Sequence, residues 1–130
     1  MPHLTIEYSA NLERQADVDA LCRRLLATLV DSGLFEVGAV RVRALRCDHY
    51  AIADRAPANS FADLSLRIGS GRSTDDKRRA GEALFAASQE VFEPLFADQH
   101  FALSLEIREI DPELSWRRNS LHQRLRDSDV

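Results

Sequence analysis

Pro2, Arg41 and Arg72 are the residues of this 130-residue chain whose types and positions could do chemistry together. Pro2 directly follows Met1 and precedes a run that alternates apolar and polar residues. Initiator methionine is normally removed when the next residue is this small, and its removal would expose a secondary amine. Such an amine has a lone pair, a position fixed by the following strand, and a proton affinity that burial and nearby positive charge both lower. A free α-amino group titrates at about 7.7–8.0, within reach of a base working at neutral pH, though a prolyl amine starts more basic. Arg41 opens a second alternating run, with its side chain opposite Val40 and Val42. Arg72 lies in the turn Gly69-Ser70-Gly71-Arg72-Ser73-Thr74, where successive N–H groups, a helix N-terminus and a guanidinium make an anion site. Each has an ordinary reading by itself: an inert chain end, a surface arginine, a capping turn with a solvated arginine. Together they describe a terminal base flanked by two carboxylate clamps.

The other reactive residue types offer less. His3, His49, His100 and His122 show no metal-ligand spacing, and Cys22 and Cys47 have no Cys or His at zinc-site intervals. Cys22 falls on the apolar stripe of a helix and reads as a core thiol. Cys47, Asp48 and His49 are adjacent on a strand, so neighbours among them point to opposite faces. The sequence has no P-loop, no Gly-x-Gly-x-x-Gly run and no Gly-x-Ser-x-Gly elbow. No metal or organic cofactor is expected.

Elements that could position these residues follow from periodicity. Leu4, Ile6 and Tyr8 alternate with Thr5 and Glu7 as in a half-buried strand. Asp17 can cap a helix whose apolar stripe is Val18, Leu21, Cys22, Leu25, Leu26, Leu29 and Val30, with Gly33 placed to end it. Residues 40–47 alternate again, and Asp48 to Ser60 reads as a connecting loop. The order then repeats. Leu64, Leu66 and Ile68 mark a strand, Ser73 or Thr74 caps a helix, and Leu103, Leu105 and Ile107 mark a fourth strand. Pro94 should kink or end the second helix near Glu93.

Helix starts near 17 and 74 therefore indicate an internal repeat of about sixty residues, with units at about 2–47 and 62–110 and a tail at 111–130. The expected architecture is a single two-layer α/β (α+β) domain. It has two β-α-β units with parallel strands, a four-stranded mixed sheet, both helices on one face, and a short C-terminal helix. The other sheet face would carry Thr5, Glu7, Arg41, Arg43, Ser65, Arg67, Ser104, Glu106 and Arg108. Such a face can stand in water, or its acids and bases can pair across strands or between subunits. Leu121 and Leu125 at helical spacing, with Trp116 before them, suggest a tail docked on something and favour an oligomer.

Composition narrows the class. Seventeen basic against twenty-one acidic residues give a net charge of −4, without the basic stripe that nucleic acid or an anionic membrane demands. The longest mostly apolar stretch, Leu25 to Val30, is too short to span a bilayer. Glu7 falls where a signal peptide needs its apolar centre, and two cysteines suit a reducing compartment. A cytoplasmic protein is expected.

Three segments carry a resemblance. Met-Pro-His-Leu-Thr-Ile-Glu-Tyr-Ser at the start, Gly38-Ala39-Val40-Arg41-Val42-Arg43, and Leu66 to Ser73 resemble the tautomerase superfamily, and within it the 5-carboxymethyl-2-hydroxymuconate Δ-isomerases. The strand Leu103 to Ile107 and the tail Trp116 to His122 extend the likeness over nearly the whole chain. The resemblance implies a homotrimer in which polar sheet faces surround the centre, Pro2 as general base and acid, and Arg41 and Arg72 binding substrate carboxylates. The implied activity shifts a proton and a double bond in a polycarboxylate muconate of homoprotocatechuate breakdown, without a cofactor. Two other readings stay open: a different tautomerase-type reaction, such as hydration or keto–enol tautomerism, and a non-catalytic trimeric binding module.

Overall fold

The computed structural model describes residues 1–128. Strand β1 (His3–Ser9) pairs in parallel with β2 (Arg41–Cys47) and antiparallel with β3 (Ser60–Gly69), which pairs in parallel with β4 (Phe101–Ile110). The sheet order is therefore β2-β1-β3-β4, with the parallel pair of each repeat meeting at the central β1–β3 seam. Leu4, Ile6 and Tyr8 of β1 and Ala62, Leu64, Leu66 and Ile68 of β3 are buried, as their alternation requires.

Helix α1 (Val18–Asp31) lies against this buried face beside α2 (Thr74–Ala97). The Asp17 side chain accepts the Ala20 N–H at 3.0 Å, and Gly33 follows the helix at φ 74°, a conformation glycine adopts without a Cβ penalty. Leu21, Leu25 and Leu29 of α1 and Leu84, Phe92 and Leu95 of α2 enter one core with the two central strands. Gly81 brings α2 close to β4, since a Cβ there would lie 3.0 Å from the Ile107 side chain. Short 3-10 turns at Ala10–Arg14 and Val37–Ala39 and a last helix, α3 (Leu121–Ser128), complete the chain.

Several expectations need correction. Pro94 does not end α2 near Glu93; the helix runs on to Ala97. Pro94 is exposed, whereas Leu95 is buried and Phe96 packs on Phe101 at 5.2 Å between ring centroids. Tertiary packing of the last turn thus outweighs one lost helical hydrogen bond. Strand β3 starts at Ser60, within the expected loop, because the Ser60 N–H bonds the His100 carbonyl at 2.9 Å. The tail is helical only from Leu121; it docks through α3 on residues 36–38, while Trp116 is 85% exposed in the single chain. On the charged sheet face, contacts run across strands as well as along them: the Ser104 hydroxyl of β4 donates to Asp63 of β3 at 2.6 Å. Arg108 bonds Glu106 of its own strand, and His3 stands directly between Arg41 and Arg67 on the flanking strands.

Candidate active site

The parallel β1–β2 pairing begins where the chain begins. The Arg41 N–H bonds the Pro2 carbonyl at 3.1 Å, which locks Pro2, itself fully buried, to the start of β2. On the other side of β1, the Met1 amine lies close to Gly69, 3.8 Å from where a Cβ would stand. The end of β3 and its Gly-rich turn are thereby brought to the amino terminus.

Both expected arginines come to this corner, and the same segment of chain holds them. Arg41 Nη1 donates to the Ala39 carbonyl at 3.0 Å, and Arg72 Nη2 to the Leu34 carbonyl at 3.0 Å. Arg72 also lies over the Phe35 ring, 4.6 Å from its centroid, a cation–π placement that fixes the plane of the guanidinium. A guanidinium carries several N–H donors in a rigid fork, so one carbonyl bond anchors each without exhausting it. Downstream of Arg72, the Ser73 hydroxyl caps α2 by accepting the Asp76 N–H at 3.1 Å. That cap leaves the turn before it at the positive end of the helix dipole.

The tail closes the corner. The Asn119 amide donates to the Gly38 carbonyl at 2.8 Å, while its oxygen accepts the Leu121 N–H at 2.8 Å and starts α3. Arg126 grips Glu36 through two hydrogen bonds, and this holds the Glu36 carboxyl below its ordinary titration range. The buried His122 Nδ1 sits 3.2 Å from the same carboxylate, short of hydrogen-bond geometry. Gly38 is required here: a Cβ would approach His122 Nδ1 to 2.9 Å and the His122 backbone to 3.2 Å.

Two clefts flank the amino terminus. One, of about 190 Å³, is lined by Met1, Pro2, Phe35, Glu36, Ala39, Arg72, Arg117 and His122. The other, of about 400 Å³, contains Met1, His3, Arg41, Arg67, Arg117, Arg118 and Trp116. Burial lowers the affinity of the Met1 amine for a proton, and Arg117, Arg72 and Arg41, in that order, lower it further. Burial and then Arg67, Arg43 and Arg41 do the same to His3. An amine whose proton affinity is lowered, set among cations, suits proton transfer on an anion: deprotonation is eased, and guanidiniums can stabilise the charge that develops.

Pro2, Arg41 and Arg72 thus converge as their sequence positions suggested, whereas Phe35, Glu36, Arg117 and His122 were not singled out. The Arg117-Arg118 pair was a visible signal, but tail residues reach the site only through the α3 contacts with residues 36–38. No group of three His, Cys, Asp or Glu side chains among the described residues could hold a metal ion. No helix among them is long and apolar enough to cross a membrane.

Comparison with known proteins matches this architecture. The family model described as 5-carboxymethyl-2-hydroxymuconate isomerase matches residues 2–125. A 5-carboxymethyl-2-hydroxymuconate Δ-isomerase of Escherichia coli is 34% identical over 122 residues, covering 94% of this chain and 97% of its own. The crystal structure of a 5-carboxymethyl-2-hydroxymuconate isomerase from Deinococcus radiodurans R1 superposes with a TM-score of 0.88 at 39% identity, covering 95% and 93% of the two chains. A fused 4-OT, a wild-type asymmetric trimer, shares the fold alone, with a TM-score of 0.62 at 17% identity over 93% and 98% of the chains. The sheet of two β-α-β units, the arginines gathered at its amino-terminal corner and these likenesses agree: the chain has the tautomerase fold and belongs to the 5-carboxymethyl-2-hydroxymuconate isomerase family.

Proposed function

We propose that the protein isomerises 5-carboxymethyl-2-hydroxymuconate, acting as one domain in the cytoplasm, with the Pro2 amine as base and acid. The observation that carries this reading is the partly buried amino terminus flanked by Arg41, Arg72 and Arg117 in a member of this family. The substrate is a dienol. Its 2-hydroxyl proton passes to the neutral amine, the electrons shift through the diene, and the amine returns the proton to carbon at the far end. The products of that shift are a 2-ketone and a relocated double bond, so atoms and charge balance without a cofactor. Arg41 faces the carboxylate and the 2-oxygen, where dienolate charge develops, and Arg72 holds a remote carboxylate.

The base requires a free secondary amine. With Met1 in place, the Pro2 nitrogen is an amide without a basic lone pair. An ultraviolet assay on protein whose intact mass lacks Met1 should show rapid conversion, and protein retaining Met1 should show little. Absence of conversion by the processed protein would reject this reading.

A further inference from the structure

Resting on the isomerase reading, the chemistry of the substrate poses a question that Arg41 and Arg72 leave open. A muconate carries a carboxylate at each end, and the carboxymethyl branch adds a third. Two arginine clamps account for two of these three anions, and a desolvated carboxylate without a partner is costly. We propose that Arg117, on the segment between β4 and α3, binds the branch carboxylate and makes the site selective for tricarboxylates over dicarboxylates.

Placement supports this assignment. Arg72 belongs to one cleft beside the amino terminus and Arg41 to the other, whereas Arg117 lines both. A chain molecule lying across the amine with its ends at Arg72 and Arg41 would present its branch to the cation shared by the two clefts. No carboxylate among the described residues forms an ion pair with Arg117, whereas Arg126 of the same tail is committed to Glu36. The larger cleft gathers Arg41, Arg67, Arg117 and Arg118 with no acidic side chain in its lining. Like charges held this close repel, and an anion with several carboxylates relieves that repulsion. The Asn119–Gly38 hydrogen bond, two residues along the chain, steadies the backbone that carries Arg117.

Trp116 is the single tryptophan, is 85% exposed and lines the same cleft, so its fluorescence reports occupancy directly. Propane-1,2,3-tricarboxylate and glutarate serve as probes with and without the extra carboxylate. Arg117→Ala should raise Kd for the tricarboxylate about tenfold or more and for glutarate less than twofold. Arg117→Lys should restore part of the difference. In kinetics, Arg117→Ala should lower kcat/KM on 5-carboxymethyl-2-hydroxymuconate about tenfold more than on 2-hydroxymuconate, which lacks the branch, with the extra loss in KM; the change in amine basicity that loss of Arg117 also brings falls on both substrates alike. Equal losses on both ligands, unchanged Kd values, or no binding of either probe by the wild type would overturn the assignment. Arg117-dependent tricarboxylate preference without turnover would uphold it while rejecting the isomerase reading. Turnover without that preference would do the reverse.

Discussion

Arg41 and Arg72 are each anchored through a backbone carbonyl of the 34–39 segment, which restrains two flexible side chains and leaves each guanidinium N–H donors to spare. Replacing either by Ala should lower kcat/KM at least about tenfold, since each removes a charge-assisted contact. The circular dichroism spectrum and unfolding midpoint should be unchanged, because neither side chain belongs to the core. Wild-type kinetics in both variants would sink the clamp assignment. In the proposed mechanism the same cations set the working pH. Burial and Arg117, Arg72 and Arg41 lower the proton affinity of the terminal amine, and a Pro2 amine exposed by methionine loss would face the same guanidiniums. A base must be neutral to act, so activity should rise with pH through a value below that of an ordinary prolyl amine. Arg41→Ala and Arg72→Ala each remove positive charge and should move this rising limb to higher pH. A limb that stays in place in both variants would separate the amine from the arginines.

Individual elements show where local preference yields to packing. In α2, Pro94 leaves the Glu90 carbonyl without its helical donor, yet burial of Leu95 and the tilted and edge-on packing of Phe92 and Phe96 against Phe101 keep the helix intact. Pro94→Ala should therefore stabilise the fold by about 1–2 kcal/mol, less than the full helix-interior difference because proline also restrains the unfolded chain. A denaturant titration reads this as a higher midpoint at unchanged slope. The tail helix depends on a close approach rather than on its own propensity. Gly38→Ala should push α3 away from residues 36–38, displace Arg117 and lower kcat/KM, while α1, α2 and the sheet keep their unfolding midpoint. Unchanged kinetics would mean that docking of α3 has no bearing on the site.

On the scale of the molecule, the open sheet face is divided by charge. At the end near the amino terminus, His3 lies between Arg41 and Arg67; at the other end, Glu7 stands opposite Asp63. Like charges directly opposite each other destabilise a sheet unless something neutralises them. We infer that copies of the chain face one another across these surfaces as a trimer, with Leu45 and Trp116, both exposed in the single chain, covered by neighbours. Light scattering should give three times the mass of one chain, and a monomer at micromolar concentration would contradict this. Added salt should weaken polycarboxylate binding at the cationic end, because the attraction there is largely charge.

The sequence by itself determined most of the elements and singled out the three residues on which the proposed mechanism rests. The two strand–helix–strand units, the Asp17 and Ser73 caps and the buried faces of β1 and β3 follow from local periods of two and 3.6, which the backbone imposes on any chain. Pro2, Arg41 and Arg72 stood out because each begins or precedes an element, where chemistry and local geometry coincide. Tertiary structure alone decided the rest. Continuation of α2 past Pro94, the extra residues of β3 and the seat of α3 on Gly38 each depend on partners distant in sequence. So does the gathering of Phe35, Glu36, Arg117 and His122 around the amine, because Arg117 and Met1 are neighbours only once the tail has folded back on the 36–38 turn.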